Sequence, residues 1–315
     1  MFSNYFNFLL FLKYLVEYEC EENNYYENIT KVSADNDGKN PLVISDELIL
    51  NFENIRNNIF SDQKIMPSTV DGLYFNFDKK HSILSLYFIE FKGTLLGQES
   101  FKDYFEENII NLTDEQCNDS KNNCPINSLS KPYLNKMFES YTDNVSSILK
   151  IKPFESFFVI FPKICEKYAN ENDVEFSINE FYSFLFEKIR CHLIIVYQSG
   201  INHFNDEKTF VASLRDKYNV LKNNGIVFDF KVYDEVEFDK NLLNDIQEFP
   251  IDFLYIVLFV TEDVLNKSRD PHDFGNLINI VLKDYVEENE INIDDNQKER
   301  LRRIISKCCM NYINN

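Results

Sequence analysis

The sequence predicts a mixed α/β fold, in which helices flank both faces of a central sheet. Two extended runs joined by a polar turn predict a hairpin, and helical and extended patterns then alternate along the rest of the chain. Apolar residues make up 44% of the 315 residues, while Gly and Pro number only 7 and 8. This composition predicts a large core and excludes broad disorder.

Charge and cysteine content limit the classes of partner. The formal net charge is −20, which repels nucleic acid and anionic membranes unless a local basic patch reverses the field. Seven Cys at irregular spacings fit neither a zinc site nor a disulfide scaffold. We therefore expect reduced thiols and a cytoplasmic protein.

No segment is predicted to enter a membrane. Residues 1–18 are apolar, but they show neither a basic leader nor a small-residue cleavage site. We interpret them as an amphipathic helix rather than a signal peptide. The later apolar run Phe253–Val260 is far too short to cross a bilayer.

The first half of the chain predicts a helix, a loop, a second helix and the hairpin. Residues 21–40 are polar and predict the loop, and Ser45 is predicted to cap the second helix. The extended runs Val70–Phe77 and Ser82–Phe91 flank a polar turn, Asp78–His81, and predict the hairpin. The second helix is marked by an apolar stripe: Leu48, Phe52, Ile55 and Ile59.

The middle of the chain predicts an insertion, a helix and a strand. Segment 97–132 is rich in Asn, Asp and Ser and is interpreted as the insertion. The apolar run Phe157–Phe161 predicts a buried strand. The helix between them is marked by a stripe of five residues: Leu134, Phe138, Tyr141, Val145 and Ile148.

Helices and strands then alternate. Ser177 and Glu180 form a capping box ahead of a helix, and Leu193–Tyr197 predicts a strand. A further helix is expected to end at Gly225, which is followed by the strand Ile226–Val232.

The last third predicts a strand and two helices. The apolar run Phe253–Val260 predicts a buried strand, and Asn276–Glu287 and Gln297–Tyr312 predict helices. A boundary near residue 169 would separate a core, 1–168, from an α/β extension, 169–315. One continuous domain fits the pattern equally well.

Asp71, Glu90 and Lys92 are the residues for which chemistry is predicted. Asp71 begins the first hairpin strand, and Glu90 and Lys92 lie near the end of the return strand. Positions two apart share a strand face, so Glu90 and Lys92 project together, and the antiparallel return brings Asp71 beside them. Two carboxylates suffice to hold Mg²⁺ when waters and a substrate phosphate take the remaining positions.

These three residues resemble the motif of the PD-(D/E)xK nuclease superfamily, which has the restriction-endonuclease-like fold. The resemblance implies that Asp71 and Glu90 bind Mg²⁺ or Mn²⁺ and that Lys92 is the catalytic lysine. It also implies an order of initial helix, hairpin, helix and strand, which covers roughly residues 45–161. Some members add an acidic residue from the first helix, for which Glu47 and Glu53 are both available.

Basic residues cluster on the last predicted helix, where they offer a phosphate-contacting surface. A solvated helix face that suits the helix dipole is the alternative. The cluster comprises Lys298, Arg300, Arg302, Arg303 and Lys307.

The sequence therefore predicts a metal-dependent nuclease that hydrolyses phosphodiester bonds of DNA or RNA by metal-activated water. The alternative is a non-catalytic module that keeps the fold and binds a protein partner or a second copy of itself. In that case Glu90 and Lys92 merely pair at a strand end, which contributes under ~1 kcal/mol.

Overall fold

The computed structural model describes residues 4–18, 25–34, 39–79, 81–92, 151–199 and 227–314. Between 199 and 227 it describes only residues 212, 214–216, 218–219, 222–223 and 225. The predicted insertion 97–132 and the predicted helix with the stripe from Leu134 to Ile148 lie outside these ranges.

Six strands form one mixed sheet in the order β1 to β6. Strands β1 to β4 are antiparallel to one another, whereas β4, β5 and β6 are parallel. The strands are β1 (Tyr26–Asn28), β2 (Leu48–Asn51), β3 (Gly72–Phe77), β4 (Leu84–Lys92), β5 (Arg190–Tyr197) and β6 (Asp229–Asp234).

Helices cover both faces of the sheet. Two π-helical stretches adjoin them: Ser156–Ile160 leads into α4, and Asp239–Leu243 follows α6. The α-helices are α1 (Tyr5–Glu17), α2 (Ile29–Val32), α3 (Phe52–Ile59), α4 (Phe161–Glu171), α5 (Ile178–Lys188), α6 (Glu235–Phe238), α7 (Asn244–Glu248), α8 (Phe253–Lys267), α9 (Phe274–Glu288) and α10 (Asp295–Ile313).

The mixed α/β class and most of the predicted elements are confirmed. The hairpin is β3 and β4, and Ser177 caps α5 through the backbone N–H of Glu180. The strands expected at 193–197 and 226–232 correspond to β5 and β6, and the last two helices are α9 and α10. Gly225 has a φ of +71°, the left-handed conformation expected after a helix end.

Two predicted strands are wrong, because both segments are helical. Phe157–Phe161 lies in the helical segment 151–171, and Phe253–Val260 forms the first half of α8. Helix α8 contacts α1, α9 and α10, so several of its sides are buried and the helical period disappears from its sequence. Short apolar runs of this kind do not distinguish a strand from a buried helix.

Two predictions near the N-terminus are also wrong. The segment 21–40, predicted as loop, contains β1 and α2 among its described residues. The stripe that begins at Leu48 starts as strand β2, and Asn51 rather than Ser45 caps α3 by accepting a hydrogen bond from the N–H of Asn54. A four-residue strand leading directly into a helix gives no clear period of either kind.

The sheet separates two apolar clusters. The larger packs one sheet face against α1, the segment 151–171, α5, α8, α9 and α10. The smaller packs the other face against α2 and the segment 238–246. Ser85–Lys92 of β4 pairs with Arg190–Tyr197 of β5. The parts of the chain before and after residue 169 therefore contribute strands to the same sheet.

Four described cysteines lie in the core as free thiols: Cys165, Cys191, Cys308 and Cys309. Burial raises the pKa of the Cys191 thiol to about 12, so this thiol stays protonated. Among the described helices, none is long and apolar enough to pass through a bilayer.

His192 is a buried titratable group in the centre of β5. Its ring stacks on Tyr87 at 4.6 Å between centroids, and its Nε2 has no hydrogen-bond partner among the described residues. Burial lowers the pKa of His192 to about 4, and the charges of Lys231 and Arg190 act in the same direction. Asp229 opposes them only in part.

We expect His192 to make the fold less stable as the pH falls from about 6.5 to about 4, because the unfolded chain takes up a proton there and the native ring does not. The free energy of unfolding should fall by up to about 1.4 kcal/mol per pH unit from this group. In His192→Phe, which retains an aromatic ring against Tyr87, this contribution should vanish. Urea unfolding at about pH 7.5 and about pH 5 measures it.

The exposed His272 provides the control, since His272→Gln should keep the wild-type pH dependence. An identical pH dependence in His192→Phe and wild type would contradict the assignment.

Candidate functional site

The backbone at the start of β3 places Asp71 opposite Glu90. The N–H of Asp71 donates to the carbonyl of Ile89 at 3.0 Å, and its carbonyl accepts from the N–H of Phe52. The Asp71 side chain adds a further hydrogen bond between the two strands, since its Oδ2 accepts from the N–H of Phe91 at 2.6 Å. The carboxylate is thus fixed at the hairpin end by backbone contacts.

Glu90 and Lys92 share one face of β4, as the strand period predicts. Nζ of Lys92 lies 3.0 Å from Oε1 of Glu90, while Ile89 and Phe91 belong to the apolar cluster on the opposite face. Glu90 is 1% exposed, whereas the Lys92 side chain is 29% exposed. A carboxylate buried this deeply requires a cation close by.

Lys152 supplies a second cation that the sequence did not reveal. Its Nζ lies 2.7 Å from Oε1 of Glu90 and 3.7 Å from Oδ1 of Asp71. It reaches the hairpin from the helical segment 151–171, 62 residues away from Glu90 in the chain. No spacing rule relates these positions, since only the docking of the helix on the sheet brings them together.

The helix that carries Lys152 is fastened to the loop leading into Asp71. Oγ of Ser156 accepts from the N–H of Val70 at 3.0 Å and donates to the carbonyl of Lys152 at 2.7 Å. The carboxylate of the preceding residue, Glu155, accepts from the N–H of Ser68. These contacts hold Lys152 and Asp71 in a fixed relation.

The charges in this cluster shift one another's protonation. Burial raises the pKa of Asp71 to about 7, and the neighbouring Glu90 acts in the same direction. Lys152, the N–H of Phe91 and Lys92 counteract this rise. Burial alone would lower the pKa of Lys152, but Glu90 and Asp71 outweigh it, so that pKa is raised and Lys152 stays charged.

Two buried polar atoms in this region have no hydrogen-bond partner among the described residues. They are Oε2 of Glu90 and the hydroxyl of Tyr218. Burial raises the pKa of Tyr218, and the charge of Glu90 adds to it, which places this hydroxyl near the cluster. Buried polar atoms are rarely left unpaired, so their free bonding capacity suits a ligand.

The structure distinguishes between the two additional acidic candidates. Glu53 lies in the first turn of α3, where it pairs with Arg56 at 2.8 Å and contributes to the raised pKa of Lys152. Glu47 instead acts on Tyr74 and Tyr26, which belong to clusters on opposite sheet faces. Glu53 is therefore the candidate with an electrostatic effect on the cluster, through Lys152.

The predicted basic cluster on the last helix lies away from the Asp71–Glu90 cluster. One of its members, Arg300, is buried instead of facing a phosphate. Arg300 is 7% exposed and donates to Oδ1 of Asn76 and the carbonyl of Phe77, so it does not face solvent. Arg303 and Lys307 contact the β3–β4 turn through backbone carbonyls at Lys79 and His81. This turn is about 20 Å from Asp71, given six residues of strand at ~3.3 Å each.

Arg302 belongs to the same helix and keeps its side chain 43% exposed, with Nη1 3.7 Å from Glu299. Together with Arg303 and Lys307 it lies at the turn end of the hairpin. None of the three lines the Asp71–Glu90 cluster.

Both carboxylates approach one cationic position. Among the described residues no group of three or more His, Cys, Asp or Glu side chains is arranged to hold a metal ion. Oε1 of Glu90 and Oδ1 of Asp71 nevertheless lie 2.7 and 3.7 Å from Nζ of Lys152. Two carboxylates are a common protein contribution to a Mg²⁺ site that also binds substrate phosphate.

Comparison of the chain with models of protein families, with curated proteins and with solved structures finds no match.

We expect Lys152→Met to destabilise the fold by about 3–5 kcal/mol, because among the described residues it leaves Asp71 and Glu90 with Lys92 alone as counter-charge. It should also raise the pKa of Asp71 further, since the charge of Lys152 lowers it. Urea unfolding measures the first effect, and a carboxyl NMR titration measures the second.

Lys163→Met removes a lysine of the same helix from an exposed ion pair with Glu166 and should cost under ~1 kcal/mol. An equal cost for both substitutions would show that Lys152 does not neutralise the buried carboxylates.

Proposed function

We propose that this chain is a divalent-metal-dependent nuclease whose active centre is the Asp71–Glu90 cluster. The observation that carries the proposal is the convergence of both carboxylates on one cationic position, at 2.7 and 3.7 Å. In the proposal Asp71 and Glu90 hold Mg²⁺ or Mn²⁺, and Lys92 faces the phosphate.

The order of elements supports the proposal. A hairpin with the motif is followed by the helical segment 151–171 and later by β5, which runs parallel to β4. This is the succession of hairpin, helix and strand that the resemblance to the PD-(D/E)xK superfamily implies. The strand is β5, however, and not the expected Phe157–Phe161.

Each residue has a role that follows from its contacts. The carboxylates of Asp71 and Glu90 bind the cation, and Oε2 of Glu90 still has a free acceptor position. A bound Mg²⁺ would supply charge that acidifies water and offsets the charge developing on the phosphate. A metal held by the two carboxylates would displace Lys152 from the position that its Nζ takes between them.

The local charge is compatible with an anionic substrate, although the whole chain is strongly acidic. Lys92 and Lys152 balance Asp71 and Glu90, so a divalent cation makes the cluster positive. The electrostatic field at a cleft depends more on the nearest charges than on the net charge, because salt screens exposed charges that are more than about 8–10 Å away.

The same contacts also favour a second candidate function. Lys92 and Lys152 already neutralise Glu90 and Asp71 without a metal, which is sufficient for a purely structural ion-pair network. In that case the chain is a non-catalytic interaction module.

Incubation of labelled single-stranded and duplex DNA and RNA with Mg²⁺ or Mn²⁺ separates these functions. We expect cleavage by the wild type, and a loss of about a hundredfold or more in rate for Asp71→Asn and Lys92→Met, because the first removes a charge that holds the metal and the second removes a positive charge that faces the phosphate. Chelation of the metal should abolish cleavage.

Two exposed partners on α4 provide matched controls, since Glu166→Gln and Lys163→Met change the same kinds of charge away from the cluster. Both should cleave at the wild-type rate. Absence of cleavage by the wild type under every condition, or equal rates for Asp71→Asn and Glu166→Gln, would rule out the nuclease.

A further inference from the structure

A groove of about 690 Å³ lies at the end of the sheet opposite Asp71. It is bordered by the end of α5, the start of β5 and the middle of α10. Among the residues that the structure describes, one carboxylate, that of Glu187, and four basic side chains line it: Lys188, Arg190, Lys222 and Lys307. We call this feature the basic groove.

A second groove of about 650 Å³ continues from it along α10. Lys307 lines both grooves, and Arg302 and Arg303 extend the positive side chains away from it. Glu299 is the one carboxylate among the described lining residues of the second groove. The described lining of the two grooves thus contains six Lys and Arg and two carboxylates. In the whole chain, by contrast, acidic residues outnumber basic ones by 52 to 32.

The positive charges are only partly neutralised by their neighbours. Asp78 pairs with Arg190 at 2.6 Å, and Asp229 pairs with Lys222 at 2.9 Å. Lys188 is exposed and forms no ion pair with any residue that the structure describes. Lys307 donates to a backbone carbonyl, that of His81, rather than to a carboxylate.

Lys307 lies beside Arg190 in the groove. Burial lowers the pKa of this lysine, Asp78 and Cys308 oppose the effect, and the guanidinium of Arg190 adds a smaller lowering.

Two exposed aromatic rings stand at the same groove. Phe228 is 51% exposed and Phe186 is 50% exposed, and both line it. The guanidinium of Arg190 already lies over one face of Phe228, at 4.6 Å from the ring centroid. Aromatic rings beside cations are the arrangement that binds nucleotides by stacking and by phosphate contacts together.

We propose that the basic groove binds a nucleotide, with phosphate groups on Lys188, Arg190 and Lys307 and the base against Phe228 or Phe186. The groove has the volume usual for small-molecule sites, roughly 300–1,000 Å³. The same chemistry serves a free nucleotide or one unit of a single strand. The site is separate from the Asp71–Glu90 cluster, so it stands whether or not the chain is a nuclease.

Binding to the full chain tests the proposal, with EDTA present so that no metal-dependent cleavage intervenes. The probe is a fluorescein-labelled oligothymidylate of about twelve nucleotides, followed by anisotropy at several salt concentrations. We expect binding that weakens with salt, and a salt dependence that falls by about one unit of slope in Lys188→Glu. Phe228→Ala should weaken binding about fivefold or more.

Matched substitutions at other surfaces are the controls. Lys240→Glu reverses an exposed charge near the cluster on the opposite sheet face, and Phe259→Ala removes a ring that is 49% exposed on α8. Both should bind like the wild type. Circular dichroism establishes that each variant is folded.

Competition with thymidine triphosphate identifies the source of the ligand. Displacement of the oligonucleotide by the triphosphate assigns the groove to free nucleotides, and binding without displacement assigns it to a strand. The proposal is overturned by a wild type that binds neither probe at the lowest salt. It is equally overturned if Lys240→Glu loses as much affinity as Lys188→Glu.

Discussion

The burial of Glu90 is the constraint on which the site depends. A carboxylate at 1% exposure is expensive to keep charged unless cations and hydrogen bonds surround it. Lys92 can reach it along the same strand, but Lys152 has to be delivered by a helix. The helical segment 151–171 must therefore sit in one position on the sheet, which its contacts to Val70 and Ser68 secure.

The sequence could predict the parts of this site that follow local rules. The period of two in a strand places Glu90 and Lys92 on one face, and the polar turn after Phe77 fixes the antiparallel return that brings back Asp71. The position of Lys152 follows from no such rule. Likewise, the burial of Arg300 arises because Asn76 and Phe77, 224 and 223 residues away, accept its hydrogen bonds.

The elements that sequence reasoning missed share a physical cause. Periodicity reports burial on one side only, so α8, which packs against three other helices, shows an unbroken apolar run instead of a stripe. In β2 and α3 the change from strand to helix occurs between Asn51 and Phe52, within a single apolar stripe. Such segments are assigned by tertiary packing, which overrides local pattern.

The parallel pairing of β4 with β5 has a consequence for the order of folding. The hairpin joins residues close in sequence and is the kind of unit that forms within microseconds. The alignment of Ser85 with Arg190, and the approach of Lys152 to Glu90 across 62 residues, both require closure of long loops. We therefore expect the hairpin to bring Asp71 and Glu90 together before the helix docks, and the cluster to lose its water at that later step.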